Sequence, residues 1–110
     1  MNLKRQDDKT PAERYEEAIE KVAVLENQAA WLKWMRDDAF SALVGKIDAD
    51  TNFEREHLVK SSGKYRKATR AWIEAEADAN TARRHAEGLY IIWASWRTGE
   101  ATEREKMKLL

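Results

Sequence analysis

The chain has no cysteine, a single proline and only four glycines, and it carries no net charge, its 20 lysines and arginines being matched by 20 aspartates and glutamates. Without cysteine there is no disulfide framework and no thiolate for metal binding or redox chemistry. No stretch approaches the roughly 20 apolar residues of a membrane span, and Met1 to Lys9 is charged and lacks the apolar run of a signal peptide. The expectation is a cytosolic protein with no membrane partner. A neutral total excludes neither an oligomer nor a nucleic-acid binder, because the distribution of charge decides that. The distribution is uneven: residues 1–54 hold 8 basic and 12 acidic side chains, residues 55–110 hold 12 and 8. Oppositely charged halves suit an antiparallel hairpin.

What the sequence does have is helical periodicity. Tyr65, Ala68, Trp72, Ala75, Ala79, Ala82, Ala86, Leu89, Trp93 and Trp96 recur alternately three and four residues apart, the rhythm of a heptad seam. A helix from Lys64 to about Arg97 follows. Its seam needs an equally long apolar partner, and its alanine-rich middle lets that partner approach closely. A second seam, Tyr15, Ala18, Val22, Leu25, Ala29, Leu32, Arg36, Ala39 and Leu43, supplies one, with Arg36 as its only break. Thr10, Pro11 and Glu13 give this first helix a start signal, since threonine caps a free backbone N–H, proline fits the first helical position and glutamate reaches back to the cap. Thr51 and Glu54 repeat the capping-box spacing and predict a short helix from Asn52 to about Lys60. Ser61, Ser62 and Gly63 predict a turn, with glycine in the left-handed conformation that follows a helix. Gly88 inside the long helix suggests a close approach by a neighbour. Thr98 and Gly99 predict a break before a charged closing helix, anchored by Met107, Leu109 and Leu110.

The fold class expected is therefore all-α: a long, coiled-coil-like antiparallel helical hairpin with a short connecting helix and a C-terminal helix, in an oligomer. Residues 1–9 are expected to be a flexible tail, and residues 10–110 a single helical domain. The oligomer is suggested by a second apolar stripe on the first helix, where Val24, Trp31, Trp34 and Met35 lie off the seam and Phe40, Val44 and Ile47 extend it. A helix with two apolar faces has two neighbours. The second neighbour is either another subunit or residues 52–60 of the same chain folded back. Five tryptophans are also more than a chain of 110 residues readily buries alone.

No catalytic constellation is present, and neither an enzymatic activity nor a cofactor is expected. Gly63-Lys64 lacks the flanking residues of a phosphate loop, which would need glycine where Leu58 stands and serine or threonine where Tyr65 stands. His57 and His85 have no ligand partners at helical metal-site spacing, so no metal is expected. Asp37, Asp38, Glu74, Glu76 and Asp78 read as solvated helix faces. The informative polar stretch runs from Lys60 to Trp72, where Lys60, Lys64, Arg66, Lys67 and Arg70 occur without an intervening acid, beside Tyr65 and Trp72. Cations that track a phosphate backbone, next to aromatic faces on which bases stack, form a single-strand binding surface. Arg83, Arg84 and Arg97 extend the track. Against this, Tyr65 and Trp72 occupy seam positions, which would turn them inward and leave a basic face only.

The W-L-K-W segment at Trp31 to Trp34, the S-S-G-K segment at Ser61 to Lys64 and the L-x-x-x-W-x-S-W-R-T segment at Leu89 to Thr98 resemble the small helical recombination mediators of phages, the UvsY-like proteins. Val59-Lys60 or Lys60-Ser61 stands where that family carries a tyrosine pair. The resemblance spans about residues 25–110. It implies a closed homo-oligomer that wraps or displaces single-stranded DNA and contacts a recombinase and a single-strand-binding protein, in the cytoplasm of a bacterial host if the chain is phage-encoded. Lys60, Lys64, Arg66, Lys67 and Arg70 would then contact phosphates, while Trp31, Trp34, Trp93 and Trp96, with Val24 and Met35, would pack subunits. Two other functions fit the composition: a small phage-type inhibitor of a host defence nuclease that acts through an exposed tryptophan face, and a purely structural helical oligomer.

Overall fold

The computed structural model describes residues 8–109, so most of the expected tail and the Leu110 anchor lie outside the described residues. The chain is all-α, with α1 at Pro11–Val44, α2 at Asn52–Ser61 and α3 at Gly63–Leu109, and among the described residues there is no strand. An antiparallel pairing of α1 with α3, joined through the connecting helix α2, is the fold that the two seams predict.

The helix starts follow from local chemistry. At the head of α1, the Glu13 amide donates to Thr10 Oγ1 at 3.2 Å, and the threonine hydroxyl in turn reaches the Glu13 carboxylate at 3.4 Å. At the head of α2, Thr51 is in an extended conformation and its side chain accepts from the Glu54 amide at 3.1 Å. The next junction differs from the expected glycine turn. Ser62, with φ −70° and ψ 146°, ends α2 and starts α3: its N–H donates to Val59 O at 3.0 Å, and its Oγ accepts from the Tyr65 amide at 3.2 Å. One extended serine does both tasks, so Gly63 is simply the first residue of α3 and no glycine has a positive φ.

A second correction concerns the end of the chain. Residues 100–109 are helical as expected but continue α3 without a break. The hydroxyls of Thr98 and Thr102 donate back to Ala94 O and Thr98 O at 3.0 and 2.9 Å, so both are satisfied inside the helix. Gly99 costs only about 1 kcal/mol against alanine, too little to end a helix by itself.

The contacts fall into two compact units. One contains the described residues up to Ala23 together with those from Asn80 onward, and the other is Val24–Ala79. In the first, Ala18 of α1 and Ala82 and Ala86 of α3 are buried. Tyr15 stacks on Trp93 with ring centroids 5.7 Å apart and planes 11° apart, and also touches Tyr90 at 5.4 Å. Arg97 lies over the same Trp93 ring at 5.0 Å.

In the second unit the buried residues are Ala29, Val59, Ala75 and Ala79. Phe40 meets Tyr65 at 5.7 Å, and Arg36 lies 4.4 Å over the ring of Trp72. Moving back along α1 from Phe40 to Arg36 thus corresponds to moving forward along α3 from Tyr65 to Trp72, which makes the pair antiparallel. The apparent break in the α1 seam has its explanation here: the Arg36 guanidinium covers an aromatic face while Asp37 accepts from its Nη2 at 2.8 Å. A cation on an aromatic face substitutes for an apolar seam residue. Phe40 belongs to this internal contact. The outer stripe is not covered by α2, since Trp31 and Trp34 remain 58% and 56% exposed. The fold-back alternative therefore fails: α2 inserts Val59, leaving Phe53 and Leu58 outside.

The fully buried positions are thus almost all alanine, and among the described residues the largest fully buried side chain is Val59. Small side chains allow close helix contact but bury little apolar area each. The aromatic pairs at Tyr15, Trp93, Phe40 and Tyr65 supply larger contacts, each adding about 0.5–1.5 kcal/mol beyond area burial.

Candidate functional site

The basic stretch opens α3 and so surrounds a helix N-terminus. No acidic residue lies in the first turn of α3. Cations near a helix N-terminus oppose the macrodipole, so Lys64, Arg66 and Lys67 are placed against the interest of the helix. All five cations from Lys60 to Arg70 are exposed, and none of them forms an ion pair among the described residues.

The helix divides them between two edges. Lys60, Arg66 and Arg70 line an open cleft of about 350 Å³ with Tyr65, Thr69 and Ile73, and no acidic side chain contributes to its wall. Thr69 Oγ1 is buried there without a hydrogen-bond partner among the described residues. Lys64 and Lys67 belong instead to a second groove of about 220 Å³, with Leu32 and Met35 from α1 and Ala68 and Ala71 from α3. The linear sequence suggested one continuous track. At 100° of rotation per residue, positions 66, 70 and 73 fall on one side of the Tyr65–Ala68–Trp72 seam and positions 64, 67 and 71 on the other.

The interleaved aromatics are turned inward, as their seam positions imply. Tyr65 and Trp72 are half-buried, one against Phe40 and the other beneath Arg36. In the other unit, Arg84 is exposed, Arg83 is half-buried with its guanidinium donating to Asn80 Oδ1, and Arg97 is spent on Trp93. Arg83 and Arg97 are thus engaged locally.

The residues expected at a subunit interface are mostly outward. Val24 and Met35 are exposed, and Trp31 and Trp34 stack on each other with centroids 5.2 Å apart. Trp96 is 47% exposed and lies outside the seam contact expected of it, because α3 beyond Trp93 has no buried position. Trp93 is half-buried in the Tyr15 cluster. Sequence reasoning missed further outward apolar residues, Phe53 on α2 and Ile73, Tyr90, Ile91 and Ile92 on α3. The signal was available for the four α3 residues, each a large apolar side chain off the heptad seam, whereas the ten-residue α2 carries no such seam.

Gly88 lacks the close approach expected of it: apart from its chain neighbours and its own helix backbone, no atom of the described residues lies within 4 Å of the position a Cβ would take. Among the described residues no group of three His, Cys, Asp or Glu side chains is placed to hold a metal, and no helix is long and apolar enough to cross a membrane. Comparison with known protein families, with characterised proteins and with solved structures finds no match.

Proposed function

We propose that this protein is a non-enzymatic, self-associating binder of single-stranded DNA, of the recombination-mediator kind its sequence resembles. The observation that carries this reading is the cleft beside the start of α3, where Lys60, Arg66 and Arg70 converge with no acid in the wall. Three exposed cations that converge without an ion-pair partner among the described residues concentrate positive potential, and a phosphate backbone is the polyanion such a groove accommodates. With Tyr65 and Trp72 packed inward, affinity comes from phosphates more than from base stacking, and binding is indifferent to base sequence. As a mediator it would also contact a recombinase and a single-strand-binding protein.

A second reading has its own support. The stacked, exposed Trp31–Trp34 pair is a surface of the type that anchors protein partners, as a small inhibitor would use. Titration with short single-stranded oligonucleotides separates the two. Binding that weakens steeply with salt, and equally for different base sequences, is expected of the first. In the variant Lys60→Ala/Arg66→Ala/Arg70→Ala the logarithmic salt slope should fall by about 2, at about 0.7 per lost contact, so that its affinity loses roughly 20-fold less than the parent's between about 50 and 200 mM salt. Absence of binding by the parent at low salt removes the DNA reading and leaves the protein-partner one.

A further inference from the structure

We propose that the groove beside Lys64 and Lys67 receives Phe53 of a second copy of this chain. The inference rests on the self-association reading above and names the contact that produces it.

The groove has an apolar floor and a cationic rim. Leu32 and Met35 form one wall, Ala68 and Ala71 leave the space open on the α3 side, and the lysines stand at the edge of a volume of about 220 Å³. An apolar cavity of about 150 Å³ is enough for a benzene ring. The groove therefore admits an aromatic side chain, and the two ammonium groups, without acidic partners among the described residues, favour one that arrives among carboxylates.

The chain carries such an element. Phe53 is 79% exposed, more than any other aromatic among the described residues, and nothing in α2 requires it there, since the helix is secured by the Thr51–Glu54 cap. Asp48, Asp50, Glu54 and Glu56 lie around it in sequence, all exposed. The single cation of the segment, Arg55, is half-buried and turned back, its Nη2 donating to Ala49 O at 3.3 Å. Phe53 thus stands exposed within an acidic segment, an aromatic side chain of the size the groove admits and flanked in sequence by charges opposite to those of its rim. The adjacent Trp31–Trp34 pair extends the apolar surface that the second copy would cover.

The test is sedimentation equilibrium of the full chain and its variants. Phe53→Ala should weaken self-association about 10- to 100-fold, the range expected when a buried aromatic is lost. Lys64→Glu/Lys67→Glu should weaken it as well, and combination with Asp50→Lys/Glu56→Lys should restore it, because the reversed charges face each other again. All of these positions are exposed, so circular dichroism should show unchanged helicity. An oligomeric parent with Phe53→Ala of equal mass and affinity overturns the inference while leaving self-association intact. Failure of the combined charge reversal to restore assembly also overturns it, as does an effect of the lysine changes on oligonucleotide binding alone. A parent that stays monomeric at high micromolar concentration overturns both this contact and the self-association on which it rests.

Discussion

Replacing Ala79 by leucine probes the close packing of the alanine seam directly. Ala79 is completely buried, and its seam neighbours Ala75 and Ala82 are buried nearly as fully. Alanines have no flexible side chain that can swing aside, so three added carbons at this position must push the helices apart or adopt a poor rotamer. Overpacking of this kind costs about 1–3 kcal/mol. For a chain near 100 residues, at about 4–8 °C per kcal/mol, that corresponds to a fall in Tm of roughly 5–20 °C. The assay is thermal unfolding followed by far-ultraviolet circular dichroism, with all samples at one protein concentration because assembly shifts Tm. The control is Ala30→Leu, the same change at an exposed position of α1, expected to stay within about 0.5 kcal/mol of the parent. If Ala79→Leu melts at or above the parent temperature with full helicity, the seam holds spare volume and the close-contact account is wrong.

Gly88→Ala and Gly99→Ala should each raise stability by about 0.5–1 kcal/mol, because both glycines lie within α3 with open space at the Cβ position; a loss in chemical denaturation would show that an alanine methyl is not tolerated there. Arg36→Ala should cost about 1 kcal/mol by uncovering the Trp72 ring, whereas Arg36→Leu should recover much of that loss by completing the apolar seam. Equal denaturation midpoints for Arg36→Ala and the parent would refute the role given to that contact.

The helices were legible because their determinants are local. Thr10 with Glu13 and Thr51 with Glu54 are three residues apart, and their capping bonds form wherever the chain turns into a helix. The two heptad seams likewise identify α1 and α3 as partners, since side chains three and four residues apart share a helix face. Determinants that reach across to another element were not legible. Arg36 looked like a flaw in the seam until Trp72 lay beneath it, and no spacing along α1 announces which residue of α3 will stand opposite.

The basic stretch shows the same division. The sequence shows five cations together without an acid, and the helical period already assigns Arg66 and Arg70 to one flank of the seam and Lys64 and Lys67 to the other. Only the tertiary structure brought Lys60 of α2 beside Arg66 and Arg70, and set Leu32 and Met35 of α1 beside Lys64 and Lys67. The sequence by itself determined where helices begin and which faces are apolar, because hydrogen bonds and side-chain periodicity within a helix join residues close along the chain. The structure decided what lies opposite each face, because packing joins residues far apart in the chain and depends on the rotation of one whole helix against another.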